Sequence, residues 1–417
     1  MSCIFWTLSV LLVFSVLHVH QASGRRRFQN PRRPGKSTFA PFKTLTYNAA
    51  LTDNAWSQTN FSNNRLERRS ALIDYLQYSD SDVVCLQEVY ICEDIEAIVN
   101  GLSQRYPFSY SQLHLFNGIL PPQATGLRAP ACDLADRRAL LVCLATASCS
   151  LNQGLPTLIG CLNTNCRPQL QNLVLKGGTK CLLCLLTEDI TTPTSKCASA
   201  NVAVGLRDMN TAGLVLLSKK TLTNRLYVPF YQGAVQNLER GYLQAMVDGK
   251  LTVACTHLYF IAPTSSEPIL SQFFPSADVQ NEFEVFDLIT RLKKINPAMI
   301  LGDFNIGPRG MNYLPIEEER FNVLTKEYKS DVVDECTFCQ SNAYNVGRSD
   351  NCAIDHIFGK GRLWISKAKV VLKENDAFVT TDGRQLPLSD HYGVEALVTY
   401  FPAATPIGYT HNRRSLP

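Results

Sequence analysis

The stretch MILGDFNIG, residues 299–307, ends an apolar run in Asp303 and Asn305, and the chain repeats that pattern several times. Such a run reads as a short buried strand, and a buried strand keeps a carboxylate at its terminus only where that terminus is polar. The same reading applies to Asn48 in LTYNAAL, Glu88 in VVCLQEV and His257 in VACTHLYF. It applies again to Asp355 in CAIDHIF and to Asp390 and His391 in LSDHYGV. Residues two apart on a strand share a face, so Asp303 and Asn305 address one site. Each residue alone also suits a cap or a turn. Their recurrence at strand ends is what turns do not explain.

Between these runs the pattern alternates. FKTLTYNAAL (42–51) reads as a strand, RLERRSALIDYLQY (65–78) as a helix through Leu72, Ile73 and Leu76, and VVCLQEV (83–89) as a strand. Strand–helix–strand is the unit of a layered α/β fold. AGLVLLS (212–218), GYLQAMV (241–247) and LTVACTHLYF (251–260) read as strands, the last two joined by a hairpin at Asp248-Gly249. NEFEVFDLITRLKKI (281–295) predicts a helix with an apolar stripe at Val285, Leu288, Ile289 and Leu292. Acids fill its first turn and Arg291, Lys293 and Lys294 its last, as the helix dipole prefers. AMILGDF, CAIDHIF (352–358) and YGVEALVTY (392–400) supply further strands, so the α/β domain is expected to run over 42–400.

The ends read differently. CIFWTLSVLLVFSVL (3–17) followed by ASG (22–24) predicts a secretory signal over 1–24; its n-region lacks Lys and Arg, and an uncleaved signal anchor is the alternative. RRRFQNPRRPGK (25–36) carries six basic residues and opens an arm, 25–41, expected to be disordered. With a whole-chain charge of +4, those six leave residues 37–417 at −2, so the body is not basic. Asn60 in NFS is a glycosylation sequon, and 401–417 forms a tail.

Of 15 cysteines, Cys3 lies in the signal, leaving 14. Eight fall between Cys132 and Cys197; the others are Cys85, Cys92, Cys255, Cys336, Cys339 and Cys352. Cys181-x-x-Cys184 and Cys336-x-x-Cys339 admit a zinc or redox reading, but an oxidising compartment favours structural disulfides. Residues 128–204 are Leu-rich and Cys-dense, with helix-like LADRRALLVCLATA (134–147) and CLLCLL (181–186). They are expected to form a disulfide-stapled helical insertion. It is either an apolar cap that guides substrate or meets lipid, or a decoration packed on the body.

The polar set suits phosphate-ester hydrolysis. Asn48 and Glu88 offer oxygen ligands to a hard divalent cation, with Asp390 a further candidate ligand. An imidazole oriented by a carboxylate takes a proton from water. Asp390 beside His391 is a candidate pair, although adjacent strand residues face opposite sides, so the pair must sit where a loop enters the strand. His257 can donate to the phosphate, and Asn305 can bind a phosphoryl oxygen.

LQEV, THL, GDFN, CAIDHIF and SDHYGVEAL, in that order, resemble the signature segments of the endonuclease/exonuclease/phosphatase superfamily, the deoxyribonuclease I-like fold. The resemblance covers roughly 42–110 and 212–400 and leaves out the insertion. It implies a four-layered α/β sandwich, two packed mixed sheets flanked by helices, and Mg²⁺-dependent phosphodiesterase chemistry. By motif it implies Asn48 and Glu88 on the metal, Asp303 activating or orienting the nucleophile, and Asn305 steadying the transition state. Asp390 and His391 would be the base pair, His257 the second catalytic histidine and Asp355 the acid of the "DxI" strand.

Within that superfamily YPF, AGLVLLSKK (212–220), ERGYLQAMV (239–247) and THLYF are most similar to secreted neutral sphingomyelinases. The implied substrate is sphingomyelin or a related phospholipid at a membrane surface, cleaved by a secreted, extracellular monomer. YICEDIEAI is acidic where a nuclease benefits from basic side chains, and Phe273 and Phe274 would suit a lipid surface if exposed. The chain departs from bacterial sphingomyelinases in VTTDGRQLPL (379–388), which lacks their Trp–Phe-bearing hairpin, and NCAIDHIF is equally close to deoxyribonuclease I. A secreted nuclease acting on nucleic acid is therefore the alternative. A catalytically retired binding or matrix protein is the second.

Overall fold

The structure is a computed structural model. It describes residues 40–51, 64–112, 132–149, 161–173 (without 163), 181, 184, 197, 210–231, 239–260, 274, 276–345 and 350–401 (without 377 and 382). All of them lie in the unit Thr38–Pro417. The expected signal, most of the basic arm, Asn60, Phe273, much of the insertion and nearly all of the tail fall outside the described residues.

Two six-stranded sheets form the centre, and β12 (Phe378–Val379) pairs with β13 (Gln385–Leu386) in a separate two-stranded sheet. The first has the order β11-β14-β1-β2-β4-β3, from Leu363–Val371, Gly393–Tyr400, Phe42–Asn48, Val83–Gln87, Val215–Ser218 and Phe108–Ser111. The second has the order β5-β6-β7-β8-β10-β9, from Leu222–Pro229, Gly241–Val247, Leu251–His257, Ala298–Asp303, Asp355–Lys360 and Lys329–Ser330. Each sheet contains one parallel pair, β1 with β2 and β7 with β8. Helix α1 (Arg65–Tyr78) makes the first crossover and α4 (Ala277–Leu292) the second.

Three apolar clusters define the layers. Val83, Cys85, Leu243, Val253, Met299 and Leu301 meet in a core made by strands of both sheets. Leu45, Leu72, Leu76, Leu86, Ile95 and Ile98 pack the first sheet against α1 and α2 (Cys92–Gly101). Val285, Leu288, Ile300, Phe321 and Leu324 pack the second against α4 and α5 (Glu318–Glu327). The result is the expected four-layered α/β sandwich. The hairpin at Asp248-Gly249 forms: both residues are at positive φ (48° and 63°), Lys250 N–H closes the turn on Val247 O at 3.0 Å, and Lys250 is the third residue between the paired Val247 and Leu251.

Helix α4 begins at Ala277 rather than 281, because the Ser276 hydroxyl accepts from Val279 N–H (3.2 Å) and caps it. It ends at Leu292, before the two lysines assigned to its last turn. Its buried face carries Gln280, Asn281 and Glu284 beside the apolar stripe, which hides its first turn from a hydrophobic pattern. Strand β5 was not legible either, since it is largely exposed and its register shifts between Thr223 and Leu226.

Six disulfides form. Cys85–Cys255 ties β2 to β7, a central strand of each sheet. Four staple the insertion: Cys132–Cys181, Cys143–Cys166, Cys149–Cys161 and Cys184–Cys197. Cys336 pairs with Cys339, so both C-x-x-C motifs sit in disulfides. Cys92 and Cys352 are buried and take part in none of these six disulfides among the described residues. Helix α3 (Leu134–Thr146) lies in the insertion, capped by the Asp133 carboxylate. Its Leu140 and Leu144 share a cluster with Tyr90, Ile91 and Tyr259 of the body. No helix among the described residues is long and apolar enough to cross a membrane.

Candidate active site

The strands end in register at one end of the sandwich. Asp303 closes β8, flanked by His257, which closes parallel β7, and by Asp355, which opens antiparallel β10. Gly302 before Asp303 allows that approach, since a Cβ there would lie 2.2 Å from Thr256 O. In the first sheet Asn48 closes β1 opposite Gln87, and Glu88 follows. His391 precedes β14, which runs antiparallel to β1.

Asp303 is the hub. Asn48 Nδ2 donates to its Oδ2 at 3.0 Å, joining the two sheets. His257 Nε2 lies 3.3 Å and His391 Nε2 3.8 Å from the same oxygen. Its Oδ1 accepts from Asn305 N–H at 2.9 Å. Burial alone would raise the Asp303 carboxyl, but the two histidines and Asn48 hold it below the usual carboxylate range. Asn305 Nδ2 donates to Leu258 O at 3.0 Å and lies 3.3 Å from His257 Nε2.

The carboxylate hydrogen-bonded to His391 is Asp355: Nδ1 and Oδ2 are 3.0 Å apart. Asp390, expected as that partner, turns the other way and lies 3.2 Å from the Ser389 hydroxyl. The reason is the alternation already noted, which separates neighbouring side chains where the chain enters β14. Burial opposes charge on His391, yet Asp355 and Asp303 together raise it to about 10. Burial raises Asp355 to about 6 against the pull of His391. His257 goes the other way, lowered to about 4 by burial and by nearby Arg240, so its imidazole is neutral near pH 7.

Glu88 and Asn305 adopt left-handed backbone (φ 58° and 54°), a strained geometry for non-glycine residues that is found at functional sites. The Glu88 carboxyl is raised to about 7, first by burial and next by Asp390. Two crowded carboxylates with the Asn48 amide nearby in the same sheet form a hard-oxygen donor set, which fits Mg²⁺ or Mn²⁺. Asp303, Asp355 and His391 also come close enough together to hold an ion. Their hydrogen bonding and charge reads better as a proton-handling chain.

Sequence reasoning missed three residues. Arg240, buried just before β6, holds its guanidinium 5.9 Å from the Tyr259 ring centre and acts electrostatically on Glu88 and Glu284. A lone Arg opening an apolar strand in ERGYL was the available signal. Thr337 and Phe338 touch Asp355 and His391. Nothing in their local sequence marks them.

The chain matches the Endonuclease/Exonuclease/phosphatase family over residues 45–391, and it belongs to that family. Members of this family hydrolyse phosphodiester bonds and depend on a divalent metal. No curated protein sequence matches the chain. Among solved structures it is similar to sphingomyelinase C from Streptomyces griseocarneus (14% identity, 86% of this chain and 99% of that one, TM-score 0.47). It is also similar to beta toxin from Staphylococcus aureus (14%, 85% and 99%, TM-score 0.48). A third is an endonuclease/exonuclease/phosphatase from Beutenbergia cavernae (16%, 87% and 73%, TM-score 0.43). Likenesses this distant do not choose a substrate.

Proposed function

We propose that this chain is a secreted phosphodiesterase using Mg²⁺ or Mn²⁺, cleaving sphingomyelin or a related phospholipid in the manner of a phospholipase C, which for sphingomyelin gives ceramide and phosphocholine. The observation that carries the hydrolytic part is His391 suspended between Asp355 (3.0 Å) and Asp303 (3.8 Å), beside the Asn48–Asp303 bond that joins the sheets. Glu88, Asn48 and Asp390 would hold the divalent ion, which would supply neutralisation of phosphoryl charge. Asp303 orients the attacking water. In its neutral form, the minor one near pH 7 because Asp355 and Asp303 raise the imidazole to about 10, His391 takes that water's proton, and Asp355 steadies the imidazolium that forms. Neutral His257 and the Asn305 amide donate to the phosphoryl oxygens, where charge develops.

The lipid part is supported by where the insertion packs. Its core includes Tyr90 and Tyr259, each two residues past a site residue, Glu88 and His257. An insertion whose buried core continues into the segments after Glu88 and His257 stands beside the site, where an acyl-bearing substrate would meet it. The slightly acidic body agrees.

The test offers the purified chain with Mg²⁺ sphingomyelin vesicles and plasmid DNA in parallel. Phosphocholine release that stops with EDTA and in His391→Ala is expected. Plasmid nicking without phosphocholine release would replace the lipid with a nucleic acid. Silence on both would favour a binding or matrix role.

A further inference from the structure

The Cys336-x-x-Cys339 motif encloses Thr337 and Phe338, and these two hold the Asp355–His391 pair. Thr337 is fully buried, and its Oγ1 accepts from Ile354 N–H (3.0 Å) and Asp355 N–H (3.2 Å). Its carbonyl accepts from Tyr392 N–H at 2.7 Å. One short residue thus grips the backbone on both sides of the dyad. Phe338 bridges Cys352 and His391 in antiparallel fashion, and its ring centre lies 4.9 Å from that of the imidazole. The turn after Cys339 completes the hold. Asn342 Nδ2 donates to Ser389 O (2.9 Å), and Asn345 Nδ2 donates to Asp390 O (2.8 Å) and Cys339 O (3.1 Å).

The disulfide closing this loop spans 3 residues, against 170 for Cys85–Cys255. So short a loop restricts the unfolded chain little, and its effect falls on the local geometry. It is also reachable. Cys336 is half-buried, on the wall of an open cleft of about 550 Å³ formed with Asn312, Glu335, Gln340, Ser341 and Asn351. The Cys85–Cys255 sulfurs are fully buried.

We propose that the Cys336–Cys339 disulfide is a redox-sensitive clamp that fixes the positioning residues Thr337 and Phe338 against the Asp355–His391 pair, and that a dithiol reductant entering by the cleft opens it and lowers turnover. Two electrons and two protons pass from the dithiol to the disulfide, leaving two cysteine thiols and an oxidised reductant. The clamp rests on geometry alone; its effect on turnover rests on the phosphodiesterase reading above.

The full chain is titrated with dithiothreitol, and released thiols are alkylated with iodoacetamide and mapped by mass spectrometry. Amide exchange is followed at 389–393, and sphingomyelin hydrolysis is measured with Mg²⁺. Where only Cys336 and Cys339 are alkylated, exchange at His391 and Tyr392 is expected to quicken about 10-fold, with β1 and β8 unchanged. The kcat falls about 10-fold with KM nearly constant, and reoxidation of unalkylated protein restores both. Cys336→Ser/Cys339→Ser reproduces the reduced form. Thr337→Ser keeps the hydroxyl and the activity, whereas Thr337→Val loses kcat. Unchanged exchange and kcat after both cysteines are alkylated overturns the proposal. Quickened exchange with no hydrolysis in either form supports the clamp and removes the activity assigned to the site.

Discussion

His391 Nδ1 lies 3.0 Å from Asp355 Oδ2, 36 residues away in the chain, while the adjacent Asp390 points elsewhere. Two aspartates of similar sequence appearance therefore have different surroundings: Asp355 is hydrogen-bonded to the imidazole, and Asp390 acts electrostatically on Glu88.

Asp355→Asn leaves the shape and removes the charge that steadies the imidazolium. It is expected to lower kcat by about 10² to 10⁴, the range for acid–base assistance, at every Mg²⁺ concentration. Asp390→Asn is expected to raise the Mg²⁺ concentration for half-maximal activity and to leave saturated kcat much closer to the native value. Metal titrations of the two variants separate these outcomes, and identical titration curves would return Asp390 to the base pair.

Chelation should abolish hydrolysis, with Mg²⁺ or Mn²⁺ restoring it. Glu88→Gln removes a carboxylate ligand and is expected to weaken the apparent metal affinity about 10-fold or more. In the metal-free protein the same change should raise stability at pH 8, because burial and then Asp390 have raised the Glu88 carboxyl from 4.5 to about 7, so holding its charge at that pH works against folding. Isothermal titration with Mn²⁺ and metal-free thermal unfolding read the two effects.

His257 has its imidazole lowered from 6.5 to about 4, mainly by burial. A depressed group contributes stability above its unfolded value and loses it as pH falls through its folded one. The unfolded chain takes the proton near pH 6.5 and the folded one resists until about 4. Over that window the metal-free protein should lose about 3 kcal/mol through this residue. His257→Gln should flatten that acid limb in urea titrations at pH 7, 5.5 and 4.5, and parallel limbs in the two proteins would count against the assignment.

Cys85–Cys255 closes a 170-residue separation between two buried strands. Replacing both cysteines by alanine is expected to destabilise the protein by about 5 kcal/mol on a loop-closure estimate. Opening Cys336–Cys339 should shift global stability far less. Denaturant midpoints of the two double variants give the ranking, and a larger loss from the short bridge would contradict it.

The sequence alone determined the layered α/β pattern and showed which polar residues stand at strand ends. Strand and helix periodicities are local, and apolar runs ending in Asn48, Glu88, His257, Asp303 and His391 show their strand-end placement without any contact being known. What the sequence left open depended on contacts distant in the chain. Adjacency favoured Asp390 for His391, and register across β8 and β10 delivered Asp355 instead. Arg240, Thr337 and Phe338 look ordinary where they stand; they matter because folding carries them to Glu88, Asp355 and His391. The disulfide pairing was open for the same reason. Spacing permitted Cys336 and Cys339 to meet, but which cysteines face each other is a property of packed strands and helices, and only the tertiary structure decides it.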